Sequence, residues 1–63
     1  MTVHYQNYKG LLLEIFFTED GFCYAACESP LRDGVIQSET CLSPGLAFDA
    51  LKQKLDSIYF VVE

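Results

Sequence analysis

A chain of 63 residues that is 51% hydrophobic, 14% aromatic and 21% charged has the composition of one small folded domain, 1–63, and excludes a second domain and intrinsic disorder. Nine acidic residues against four basic ones give a net charge of −5, so nucleic acid is not an expected partner for this chain on its own, since affinity for it rests on neutralising phosphates. The same sign of charge disfavours an anionic membrane surface, and the apolar runs at 11–13 and 59–62 are far shorter than a bilayer span.

In chain order, residues 1–10 carry neither a basic leader nor an apolar signal core, which sets the expectation of a cytoplasmic location. Residues 3–8 allow a short extra strand running into a turn or bulge at Lys9 and Gly10. Residues 11–18, rich in branched and aromatic side chains, read as a strand. Asp20 and Gly21 suit a two-residue type I′ turn, with 22–28 as the returning strand. A loop of two residues sets Glu19 opposite Phe22, Phe17 opposite Tyr24 and Ile15 opposite Ala26. One sheet face then holds Leu11, Leu13, Ile15, Phe17, Phe22, Tyr24 and Ala26. The other holds Leu12, Glu14, Phe16, Thr18, Cys23, Ala25 and Cys27.

A polar turn over 29–34 leads to a third strand at 35–41, whose register the spacing leaves open. Ser43 followed by Pro44 marks a helix start, because the hydroxyl caps free amides and proline at the first position loses no hydrogen bond. Phe48, Leu51, Leu55, Ile58 and Val62 recur at spacings of three and four and form one apolar stripe. The helix is expected to reach about residue 59, with a short strand over 59–62 as the alternative. The fold class is therefore α+β: an antiparallel three-stranded meander, with the extra strand as an option, and one C-terminal helix packed across one face.

Cys23, Cys27 and Cys41 include no C-x-x-C pair, so neither a disulfide framework nor a zinc site is expected, and buried reduced thiols are the simplest reading. On one strand Cys23 and Cys27 would lie about 13 Å apart, too far to bridge. His4 is the single histidine and sits near a terminus, and the carboxylate pairs Glu19 with Asp20 and Glu28 with Asp33 fall at turns. No catalytic residue, metal ligand or cofactor site is assigned, and an enzyme is not expected.

The order of elements, with Tyr8-Lys9-Gly10, Leu13-Glu14-Ile15, Asp20-Gly21-Phe22 and Ala47-Phe48-Asp49-Ala50-Leu51, resembles the small β-β-β-α domains of HicB-like type over residues 8–58. The resemblance implies an antitoxin-type inhibitor that blocks a small RNA-cleaving partner. No additional DNA-binding segment of the family's kind is expected within residues 1–63, and Glu28-Ser29-Pro30-Leu31 matches the family's D-x-P-G turn loosely.

One helix covers one face of such a sheet, which leaves Leu12, Phe16, Cys23, Ala25 and Cys27 as an apolar cluster on the other, expected to form an interface. The function expected is a non-catalytic protein-interaction module, serving as an adaptor for a protein partner or associating with itself as a homo-oligomer. The alternatives are a HicB-like inhibitor of a basic partner and, in a different class, a thiol-dependent enzyme or redox sensor using Cys23, Cys27 or Cys41.

Overall fold

The computed structural model describes residues 4–59. Strands β1 (Tyr5–Tyr8), β2 (Leu11–Phe17), β3 (Cys23–Glu28) and β4 (Val35–Gln37) form one antiparallel sheet in sequential order, and helix α1 (Pro44–Ile58) lies across it. The α+β meander with one C-terminal helix is as expected. The optional strand is present as β1, so the sheet has four strands.

The first two hairpins turn on left-handed backbone, in different ways. Lys9 (φ 50°) and Gly10 (φ 84°) join Tyr8 to its partner Leu11. Two successive residues with positive φ are the mark of a type I′ turn, so that turn type lies here and not at Asp20 and Gly21. Between β2 and β3 the loop has three residues, Glu19, Asp20 and Gly21, and of these Gly21 alone has positive φ, at 87°. The Gly21 N–H donates to Thr18 O at 3.2 Å and the Thr18 N–H to Phe22 O at 2.8 Å, while Thr18 Oγ1 accepts from the Phe22 N–H at 3.2 Å. This is a type I turn closed by a left-handed glycine.

The third loop residue shifts the pairing by one. Phe17 faces Cys23, Phe16 faces Tyr24, Ile15 faces Ala25 and Glu14 faces Ala26. Side chains alternate along a strand, so the shift turns β3 over relative to the expected arrangement: Cys23, Ala25 and Cys27 point toward the helix, while Tyr24 and Ala26 point away. In β4 the same alternation puts Ile36 inward and Val35 and Gln37 outward. That strand ends at Gln37, short of the expected residue 41, although Cys41 makes an isolated bridge to Cys23.

Helix α1 starts where the sequence marks it, with Ser43 Oγ accepting from the Leu46 N–H at 3.4 Å and Pro44 next in line. Its buried side chains are Ala47, Phe48, Leu51 and Leu55. They meet Leu13, Ile15, Cys23, Ala25 and Cys27, with Tyr8, Leu11, Ile36, Cys41 and Tyr59 at the margins. Ile58, expected in the stripe, is 53% exposed, and Val62 lies outside the described residues. The helix sits chiefly over β3, whose inner side chains are small, so its backbone can approach the sheet while Leu51 and Leu55 fill the space between.

Polar contacts fix the two ends of this packing. Tyr8 Oη donates to the Asp56 carboxylate, 2.7 Å from each oxygen, and Lys9 Nζ reaches the same group at 3.0 Å. The first hairpin is thereby tied to the last turn of α1. Lys54 Nζ donates to Gln37 O at 2.8 Å, capping a carbonyl on the β4 edge. Buried Ser29 shares a hydrogen bond with Tyr59 Oη at 3.2 Å and accepts from the Leu31 N–H within its own turn. No helix among the described residues is long and apolar enough to cross a membrane.

Candidate functional site

The sheet face turned away from α1 is built from alternate residues of all four strands: Tyr5 and Asn7, then Leu12, Glu14 and Phe16, then Tyr24, Ala26 and Glu28, and finally Val35 and Gln37. Of the five residues expected to form an interface, Leu12 (48% exposed) and Phe16 (43%) lie here. Cys23 (1%), Ala25 (0%) and Cys27 (6%) do not, because the longer hairpin loop places them under the helix. Tyr24 and Ala26 take their places.

Phe16 and Tyr24 face each other across β2 and β3, with ring centroids 5.5 Å apart and planes 24° from parallel. Such offset stacking holds the two rings as one platform. Beside it the surface dips. Ala26 pairs with Glu14 on one side and Gln37 on the other and carries only a methyl group, so its neighbours stand above it. The depression has a volume of about 160 Å³ and is lined by Glu14, Phe16, Ala26, Cys27, Glu28 and Val35. Its floor is apolar and its rim carries two carboxylates. None of the four strands contains lysine or arginine, since the four cationic residues are Lys9 and Arg32 in turns and Lys52 and Lys54 on the helix.

The other sequence candidates are dispersed. His4 is exposed; its ring meets Phe17 edge-on at 6.1 Å and its carbonyl accepts from the Ile15 N–H at 3.1 Å, which extends the β1–β2 pairing by one residue. Among the described residues no group of three histidine, cysteine, aspartate or glutamate side chains is placed to hold a metal ion. Burial pushes the Cys23 and Cys27 thiols up, opposite to the direction an activated nucleophile requires. Cys41 is partly exposed and faces Cys23.

Two arrangements escaped the sequence reading. The contact of Tyr8 and Lys9 with Asp56 joins residues 48 and 47 positions apart, and no local spacing announces it. Hydrogen bonds from Tyr8 and then Lys9 hold the Asp56 carboxyl below its ordinary range, while the same contact raises Tyr8 and Lys9. The depression over Ala26 needed the β2–β3 register to be correct by one residue.

Compared with protein-family models, curated proteins and solved structures, the chain matches none.

Proposed function

We propose that the protein is a non-catalytic interaction module whose outer sheet face takes a protein partner presenting apolar side chains and at least one lysine or arginine. The observation that carries this reading is the depression over Ala26, an apolar floor between Glu14 and Glu28 beside the stacked Phe16 and Tyr24. A long cationic side chain has the matching form: its methylenes cover Ala26 and Val35, and its charge reaches the carboxylates. Leu12, Tyr5 and Val35, all exposed, continue the apolar surface around it.

A second copy of this chain is the poorer occupant, since a two-fold pairing of outer faces brings Glu14 and Glu28 together with their own equivalents and no strand cation to offset them. An inhibitor of HicB-like type that holds a basic protein is one form of the same reading, favoured by the acidic rim.

The test is an NMR titration of the ¹⁵N-labelled protein with a short synthetic peptide alternating arginine and leucine. Saturable shifts centred on Glu14, Phe16, Ala26 and Glu28, weakened about tenfold by Glu14→Gln with Glu28→Gln and reduced by salt, are expected. Light scattering of the free protein accompanies it. Shifts located elsewhere, shifts unchanged in the double variant, or a dimer whose formation buries Phe16 would overturn the proposal.

A further inference from the structure

Cys23 and Cys41 face one another at the point where the chain leaves the sheet for the helix. The Cys23 N–H donates to Cys41 O at 2.9 Å and the Cys41 N–H donates back to Cys23 O at 2.6 Å. Residues that exchange both hydrogen bonds across antiparallel strands have Cα atoms about 5.5 Å apart and side chains on the same side, which falls inside the 4.4–6.8 Å range of disulfides. The Cys23 thiol lies against its neighbour's backbone, with Sγ 3.6 Å from Cys41 O. Cys27 is excluded as a partner: it sits four residues along β3 from Cys23, about 13 Å away, and opposite Ile36.

We propose that Cys23 and Cys41 form a reversible intramolecular disulfide, a redox-controlled staple that fixes the entrance of α1 to the start of β3. The two thiols differ in access, and that sets the order of events. Cys41 is partly exposed, whereas Cys23 is 1% exposed, so a small-molecule disulfide RSSR meets Cys41 first. The Cys41 thiolate attacks one sulfur of RSSR, forming a Cys41–S–S–R mixed disulfide and expelling RS⁻. Cys23 then gives up its proton, and its thiolate attacks the Cys41 sulfur, forming the Cys23–Cys41 bond and expelling the second RS⁻. Two protein thiols are oxidised to one disulfide, RSSR is reduced to two RSH, and the two protons released by the cysteines end on the leaving thiolates.

Burial holds the Cys23 thiol up. The second step should therefore be the slower one at neutral pH and should accelerate as pH rises. The staple lies on the helix side of the sheet and does not depend on what binds the outer face.

The test exposes the full chain to oxidised glutathione, then alkylates free thiols in denaturant and maps the products without reduction. Trypsin cuts after Arg32 and chymotrypsin after Tyr24, which separates the three cysteines. A single internal disulfide joining Cys23 and Cys41, with Cys27 alkylated, is expected in the parent and in Cys27→Ala. A glutathione adduct on Cys41 should appear transiently in the parent and persist in Cys23→Ala. Relative to the urea-unfolded chain, the folded protein should favour this bridge by about tenfold or more, because the fold raises the effective concentration of the pair. A stable glutathione adduct on parent Cys41, a bridge to Cys27, or equal pairing in urea would overturn the proposal.

Discussion

The inward turn of β3 is tested most sharply by placing one charge on each of two adjacent residues. Ala25 is 0% exposed beneath the helix, whereas Tyr24 stands on the outer face, stacked on Phe16. In Ala25→Glu a carboxylate enters a space lined by Leu13, Ile15, Leu51 and Leu55. Its desolvation costs several kcal/mol, and the added volume costs about 1–3 kcal/mol more. A domain of this length has a total stability of about 3–9 kcal/mol, so the variant should be largely unfolded. Tyr24→Glu gives up a ring stack of about 0.5–1.5 kcal/mol and some strand preference, and should stay folded with a loss of about 1–2 kcal/mol. Urea denaturation followed by circular dichroism, with amide dispersion in ¹⁵N spectra as a second probe, separates the two. A two-residue hairpin loop would exchange the faces and invert the result, so a folded Ala25→Glu beside an unfolded Tyr24→Glu would refute the pairing described for β2 and β3.

Leu51 is fully buried and Ile58 half-exposed on the same helix, so Leu51→Ala should cost about 2–5 kcal/mol in urea denaturation and Ile58→Ala under about 1 kcal/mol. Asp56 has its pKa held below the ordinary 3.8, so its contribution is fully present above that value and is lost as pH falls through the lowered one; the stability gap between parent and Asp56→Asn, read from acid titrations of the melting temperature, should be constant near neutrality and close below pH 3.8. At the alkaline end the raised Tyr8 and Lys9 favour their protonated forms, so their share is present below 10.0 and 10.5 and disappears as pH climbs through the raised values. Gln6 Oε1 is buried with no hydrogen-bond partner among the described residues, and Gln6→Met should raise stability by about 1 kcal/mol in the same denaturation assay. Oxidation that joins cysteines 18 positions apart should raise the denaturation free energy by about 3 kcal/mol over the reduced protein.

What the sequence revealed follows the range of the forces involved. Ser43 and Pro44 specify the helix start through contacts within one turn, and the inward positions Phe48, Leu51 and Leu55 of α1 follow from its own periodicity. The β2–β3 register depends on a subtler choice. Gly21 is left-handed in a type I′ turn and also in a three-residue loop, so the Asp20-Gly21 pair identifies the glycine's conformation without fixing the conformation of Asp20. The interaction that favours the longer loop is the Thr18 hydroxyl on the Phe22 amide, a side-chain contact outside the dipeptide. Lys9 at φ 50° carries no sequence signal, since lysine has no special preference for left-handed backbone, and its conformation is sustained by the pairing of Tyr8 with Leu11 and by the contact with Asp56.

Hydrophobic patterning could not correct the register, because β3 is apolar on both faces: Cys23, Ala25 and Cys27 alternate with Tyr24 and Ala26. Size distinguishes them. The set with the smaller side chains lies where the helix must come close, and the aromatic lies where there is room for it. A one-residue slip therefore left the fold class intact while exchanging three of the five expected interface residues for buried ones. Leu12 and Phe16 kept their face because β2 is the strand from which the register was counted.

The distribution of charge bears on what can cover the outer face. Asp56 and Lys9 are joined, Lys52 lies over the Tyr8 ring at 5.5 Å, and Lys54 donates to Gln37 O, so three of the four cations are engaged on the helix side or at its junction with the first hairpin. Arg32 sits in the β3–β4 turn, and α1 carries Asp49 and Asp56 beside its two lysines. Stacking the outer face of one copy on the helix of another would draw on Lys9, Lys52 or Lys54, each of which already makes a contact within its own copy. Pairing two outer faces would set carboxylate against carboxylate. That pairing leaves Glu14 and Glu28 without a counter-charge as water is excluded, and burial of an unpaired carboxylate is costly enough to oppose the gain from covering Leu12, Phe16 and Val35. The same charges favour the proposed occupant of the outer face, a partner that brings its own cation.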